Sequence, residues 1–212
     1  MKKANTLLAT AAIIAVTFTS CTPQEQPAEV TEETQESVVE DGNYTVNPKN
    51  TTVVWKGEMV GMYSHEGTIA MNNGVLIVEN GQVTGGKFNI DMTTINPTDD
   101  GYNPEEGKSK EKLVEHLSSP DFFDVPNHSS ATFYITEVTD GKATGQLTVR
   151  GITHDEVVEN LQIQIQEDGT ITASGDLTFD RQKYEVAFTH PVQEMVLSDK
   201  IQLEVKMIAS KG

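Results

Sequence analysis

From about residue 44 onward the chain repeats one pattern, an apolar residue at every second position. Val53, Trp55, Gly57 and Met59 share one parity, with Thr52, Lys56 and Glu58 on the other. Phe88, Ile90 and Met92 alternate with Lys87, Asn89 and Asp91, and Leu161, Ile163 and Ile165 with Gln162, Gln164 and Gln166. Ala131, Phe133 and Ile135, then Gly145, Leu147 and Val149, then Ile171, Ala173, Gly175, Leu177 and Phe179 continue it. Ile201, Leu203, Val205 and Met207 close the series. Period two is the pleat of a β-strand with one buried face. Asn80-Gly81, Asp140-Gly141, Gly151 and Asp168-Gly169 punctuate the runs as hairpin turns, and Asn73-Gly74 is a turn or bulge signal.

Strands joined by short turns form a meander. A long meander with one apolar face tends to close into a barrel, because closure removes the sheet edges. The predicted fold is all-β, an antiparallel barrel of about eight strands. A barrel of about that size either fills with side chains or holds one small ligand. The inward set mixes Gly57, Gly145, Ala173 and Gly175 with Trp55, Phe88 and Met92. Small residues leave volume, yet a tapered dry core mixes sizes too, so composition leaves both readings open.

One stretch breaks the alternation. In Lys112–Val125, Leu113, Val114 and Leu117 recur at helical spacing, and Pro120 stops the helix. The spacing predicts a short helical crossing over about 108–120. Phe122 and Phe123 then stand side by side, which no regular strand turns to one face. The stretch reads as a helix and elbow closing over an apolar interior, with Asp121 and Asp124 keeping its outer edge wet. The polar insert Thr98–Gly107 precedes it and is expected to shape the adjacent end of the barrel.

The N-terminus reads as targeting. Lys2 and Lys3 precede the apolar run Leu7–Phe18, which is too short to span a bilayer comfortably. Thr19-Ser20-Cys21 follows, and Cys21 is the only cysteine. The arrangement resembles a bacterial lipoprotein lipobox, which makes Cys21 the lipid-attachment residue and residues 1–20 the signal peptide. The expected location is the exported cell envelope, as a lipoprotein anchored to the membrane and facing periplasm or cell surface. Thr22–Gly42 holds seven acidic residues and no Lys or Arg. Residues 21–42 therefore read as a disordered acidic tether, and residues 43–212 as the folded domain. The net charge of −17 argues against nucleic acid and anionic lipid surfaces as partners.

No catalytic constellation stands out. The five histidines form no His-x-x-x-His pair, and the domain has no cysteine. Gly-x-Ser-x-Gly and phosphate-binding glycine loops are absent from the sequence. Asp99, Asp100, Glu105 and Glu106 crowd one loop without the calcium-loop spacing, so no metal is expected.

Several stretches together are similar to the YceI-like family. They are Gly61-Met62-Tyr63-Ser64-His65-Glu66-Gly67, Gly86-Lys87-Phe88-Asn89-Ile90-Asp91-Met92, and Leu117-Ser118-Ser119-Pro120-Asp121-Phe122-Phe123-Asp124-Val125. Ala131-Thr132-Phe133 and Gly145-Gln146-Leu147-Thr148-Val149-Arg150-Gly151-Ile152-Thr153 complete the set. The resemblance implies a lipocalin-like barrel whose apolar tunnel holds a polyisoprenoid or similar long lipid. It implies binding, carriage or storage rather than catalysis, with no cofactor beyond the lipid. Trp55, Met59, Phe88, Ile90, Met92, Phe133, Leu147 and Phe179 are the candidate tunnel lining. Phe122 and Phe123 are candidates to close one end, and His65 to meet a lipid headgroup. Arg150 and His154 read as turn and rim residues. The partners this reading brings are the lipid, the membrane through the anchor, and a second copy of the chain as a homodimer. The competing reading is an envelope interaction module with a filled core.

Overall fold

A computed structural model of the chain describes residues 39–103, 105, 109–189, 192 and 195–212. Cys21, the signal peptide and most of the acidic tether lie outside them. Nine strands follow in order: β1 (Gly42–Val46), β2 (Thr52–Met59), β3 (Tyr63–Glu79), β4 (Gln82–Pro97), β5 (Ser130–Thr139), β6 (Lys142–Val149), β7 (Ile152–Ile165), β8 (Ile171–Asp180) and β9 (Lys200–Lys211). The helix α1 (Lys110–Ser118) lies between β4 and β5.

Each strand from β2 to β9 pairs antiparallel with the next. β9 returns to β2, with Trp55 opposite Leu203, and closes an eight-stranded barrel. β1 is the extra strand. It fills the gap between β3 and β9 beyond the start of β2, with Tyr44 opposite Leu76 and Val46 opposite Ala209.

The folded part begins earlier than the sequence suggests. Val39 is 4% exposed, Asp41 accepts from the amide of Gly81, and Glu40 pairs with Lys211. Val39, Glu40 and Asp41, read from the sequence as part of the acidic segment, are thus packed on or paired with the fold. Acidic composition hid this, because Val39 and the β1 residues Tyr44 and Val46 are too few to show a period.

β3 and β4 are also longer than their alternation shows. Register shifts fall between Thr68 and Ala70, and between Met71 and Asn73. Each shift flips the parity, so a period-two reading stops at the bulge. In β7 the shift lies between Glu159 and Gln162, where Asn160 has a φ of 53°. It lets Val158 and Leu161 both face inward although their parities differ.

The β2–β3 hairpin, α1, the β6–β7 turn and the long β8–β9 connection all lie at one barrel end, here called the helix end. The β3–β4, β5–β6 and β7–β8 turns lie at the other, with Val39.

Candidate functional site

The barrel is hollow. It encloses a cavity of about 640 Å³, within the range of small-molecule sites. Lining positions on β3 run from Tyr63 to Leu76. At about 3.3 Å per residue and a tilt near 40°, that stretch covers roughly 30 Å of the barrel axis. No Asp, Glu, Lys or Arg lines the cavity among the described residues. The filled-core reading does not fit this interior.

All eleven residues singled out from the sequence stand in the cavity wall. Trp55 and Met59 reach it from β2, His65 from β3, and Phe88, Ile90 and Met92 from β4. Phe133, Leu147 and Phe179 come from β5, β6 and β8, and Phe122 and Phe123 from the elbow after α1. Ala173 and Gly57 line it as well. A Cβ built on Gly57 would meet only the Ile201 side chain, at 3.7 Å, so this glycine does leave space. Gly145 does not. A Cβ there would meet the Tyr134 carbonyl and lie 2.7 Å from the Phe133 ring, so the glycine makes room for the neighbouring strand and that ring rather than for a ligand.

The helix and elbow cover one side of the helix end of the cavity. Ser109 caps α1 by accepting from the Lys112 amide. Pro120 cannot continue the helix. The elbow folds back instead, with the Phe123 amide donating to Leu117 O and the Val125 amide to Ser118 O. Asp124 takes a φ of 48° to complete the bend. Because this is a turn and not a strand, both phenylalanine rings face the cavity, 4.8 Å apart. Phe122 is buried and Phe123 half-buried. The wet outer edge holds for Asp121, which is exposed, but not for Asp124. Asp124 accepts from Asn127 Nδ2 at 3.0 Å and is drawn in to stabilise the turn.

Two arginines hold the segments at this end. Arg150, at φ 52° in the β6–β7 turn, donates to the carbonyls of Phe122 and Pro120. It is thus a fastener of the elbow, a role the sequence did not suggest. Arg181 is 3% exposed. It donates to the carbonyls of Val186, Phe188, Leu197 and Ser198 and to Asp199. Burial lowers its pKa, partly offset by Asp199 and Asp180. This network shapes the β8–β9 connection, which brings Phe188 and Leu197 to the cavity. Phe188, Leu197 and His116 of α1 escaped the sequence reading. Phe188 and Leu197 lie in irregular chain without a period, and His116 is a polar residue beside the helix's apolar stripe. His116 packs on Phe188 at 4.4 Å and on Phe122 at 5.5 Å.

His65 lies within β3. Its Nδ1 is 3.1 Å from Asp99 Oδ1. Tyr102 donates to Asp99 at 2.7 Å, and the amides of Gly101 and Glu66 donate as well. Burial pushes the Asp99 carboxyl up, but the bonds from Tyr102, His65, Gly101 and Glu66 outweigh it and hold it below the usual carboxylate range. Burial and the neighbouring Asp99 push the Tyr102 phenol up. Tyr63 both lines the cavity and is 45% exposed, so the cavity reaches solvent beside His65.

A family model described as a YceI-like domain matches residues 44–209, well over half of the chain. The chain belongs to the YceI-like family. Sequence relatives include UPF0312 protein SAB2563 of Staphylococcus aureus (strain bovine RF122 / ET3-1), 33% identical over 86 residues, covering 37% of this chain and 48% of that protein. UPF0312 protein SERP2314 of Staphylococcus epidermidis is 27% identical over 111 residues, covering 49% of this chain and 63% of that protein. The chain thus spans about half to just under two thirds of these relatives. Among solved structures, BcnA of Burkholderia cenocepacia superposes with a TM-score of 0.62 at 18% identity, covering 78% of this chain and 99% of that one. A polyisoprenoid binding domain from Saccharophagus degradans gives 0.55 at 9% identity, covering 80% and 98%. At these identities the likeness is one of fold, and the YceI-like barrel is that fold.

Proposed function

We propose that this YceI-like barrel binds a long apolar lipid of polyisoprenoid type, and carries or stores it in the cell envelope without chemical change. The observation that carries the reading is the cavity itself: long, uncharged and walled by apolar side chains from every strand of the barrel proper. A dry chain there gains about 0.8 kcal/mol per buried CH2, so contact alone supplies ample affinity. Such a ligand needs few polar partners, in keeping with an interior that offers few. The polyisoprenoid class is supported by the Saccharophagus degradans neighbour, which is a polyisoprenoid binding domain. Val60, Met62, Tyr63 and Val196, all exposed, extend apolar surface outward from the helix end. A chain entering there has a short path through water.

In this reading Cys21 carries a lipid anchor and the acidic segment after it tethers the barrel to the membrane. The test is reconstitution. Protein stripped with organic solvent and refolded should hold a long polyprenol in aqueous buffer at about one per barrel. A protein that folds yet leaves the polyprenol in the insoluble fraction contradicts the proposal.

A further inference from the structure

Asp99 accepts from four donors, and so acts as a fully engaged carboxylate. A carboxylate only accepts, so the His65 Nδ1 facing it carries the proton. In the neutral ring that tautomer leaves Nε2 with a free lone pair. The ring is also held in place. Tyr63 meets it edge-on and Tyr102 stacks on it, both with centroids 5.3 Å away. Among the described residues Nε2 takes no protein hydrogen bond. His65 and Tyr63 belong to the cavity wall where it reaches solvent. A held acceptor thus belongs to the wall of a largely apolar site, beside its opening.

We infer that His65 Nε2 accepts a hydrogen bond from the polar end of the bound lipid, so that the ligand is an isoprenoid alcohol or phenol whose hydroxyl lies beside Tyr63 and Tyr102. Asp99 and Tyr102 are positioning residues that fix the tautomer and the ring plane. The inference rests on the reading of the cavity as a lipid site. It adds the chemistry of the headgroup, which the apolar wall alone does not specify.

The test is a ligand series on stripped protein: geranylgeraniol, its methyl ether and the parent hydrocarbon, each displacing a fluorescent apolar probe. The wild type should bind the alcohol about tenfold more tightly than the ether, the worth of one hydrogen bond. His65→Asn keeps a donor toward Asp99 and removes the acceptor at the Nε2 position. It should bind the ether as before and lose most of the preference for the alcohol. Equal affinity of the wild type for all three overturns the headgroup inference and leaves the lipid reading standing, as does a preference that survives in His65→Asn. Tighter binding of the corresponding aldehyde, added as a fourth ligand, also overturns it, because His65 would then be donating. Failure of all three to bind overturns the lipid reading itself. If His65→Asn does not fold, the wild-type series alone decides.

Discussion

Arg150 donates to the carbonyl oxygen of Phe122, tying the β6–β7 turn to the elbow that covers one side of the helix end of the cavity. The same guanidinium reaches Pro120 O at 3.2 Å. Backbone carbonyls in a tight elbow have few alternative donors, so this side chain fixes where both phenylalanine rings stand. Arg150→Ala should cost about 1.5–3 kcal/mol, the range for hydrogen bonds to a charged group. It should also speed ligand release. Chemical denaturation and a probe-release time course check the two halves separately.

Phe122 and Phe123 should not respond alike. Phe122 is buried against His116, Phe123 and Phe188, and truncating it to Ala should cost about 3 kcal/mol as a core cavity. Phe123 is half-buried at the cavity wall. Phe123→Ala should cost about 1 kcal/mol, because less area leaves water, while weakening lipid retention severalfold. Equal losses of stability and retention in Phe123→Ala would make it ordinary core.

Arg181 is a pillar of the β8–β9 connection. Replacing it by Met strands several carbonyls that now share one guanidinium, and should cost about 3–5 kcal/mol. Arg181→Lys should recover little, since an ammonium cannot span the same fork of acceptors. Thermal unfolding of both variants distinguishes this from a simple charge effect, under which Lys would rescue.

Asp99 gives the helix end a defined acid response. Its folded pKa is lowered, so its stabilising contribution is full above the unfolded value of about 3.9. The contribution is lost as pH falls through the lowered folded value. The margin by which wild type exceeds Asp99→Asn in stability should therefore shrink as pH falls below about 4. A margin unchanged at pH 3 would contradict this.

How much of this was legible in the sequence depends on local regularity. Strands β6, β8 and β9 show their faces plainly, because Leu147, Leu177 and Leu203 sit in stretches of unbroken alternation. The outer parts of β3 and β4 did not, because bulges near Ala70 and Asn73 invert the pattern. The candidate lining residues could be named because barrel closure turns one parity inward. Phe188 could not, since its place depends on carbonyls held by Arg181 across the connection. The hollow interior was not legible either. An inward mix of small and large residues such as Gly57, Ala173 and Phe88 fits a hollow barrel and a tapered filled one alike.

A filled variant separates the site from the scaffold. Gly57→Leu should enter free space, since its Cβ meets only Ile201 in ordinary contact. The barrel should keep its fold, with stability changed by under about 1.5 kcal/mol, and lose capacity for a long chain. Loss of the fold instead would mean that the space is already needed for packing.

The most direct measurement is a native mass spectrum of the protein purified from the cells that make it, without detergent exchange. The expected spectrum shows one additional mass per barrel, removed by organic extraction and identified in the extract as a long isoprenoid. A spectrum showing only the bare polypeptide, from protein that also takes up no polyprenol after extraction, would contradict the lipid-binding account.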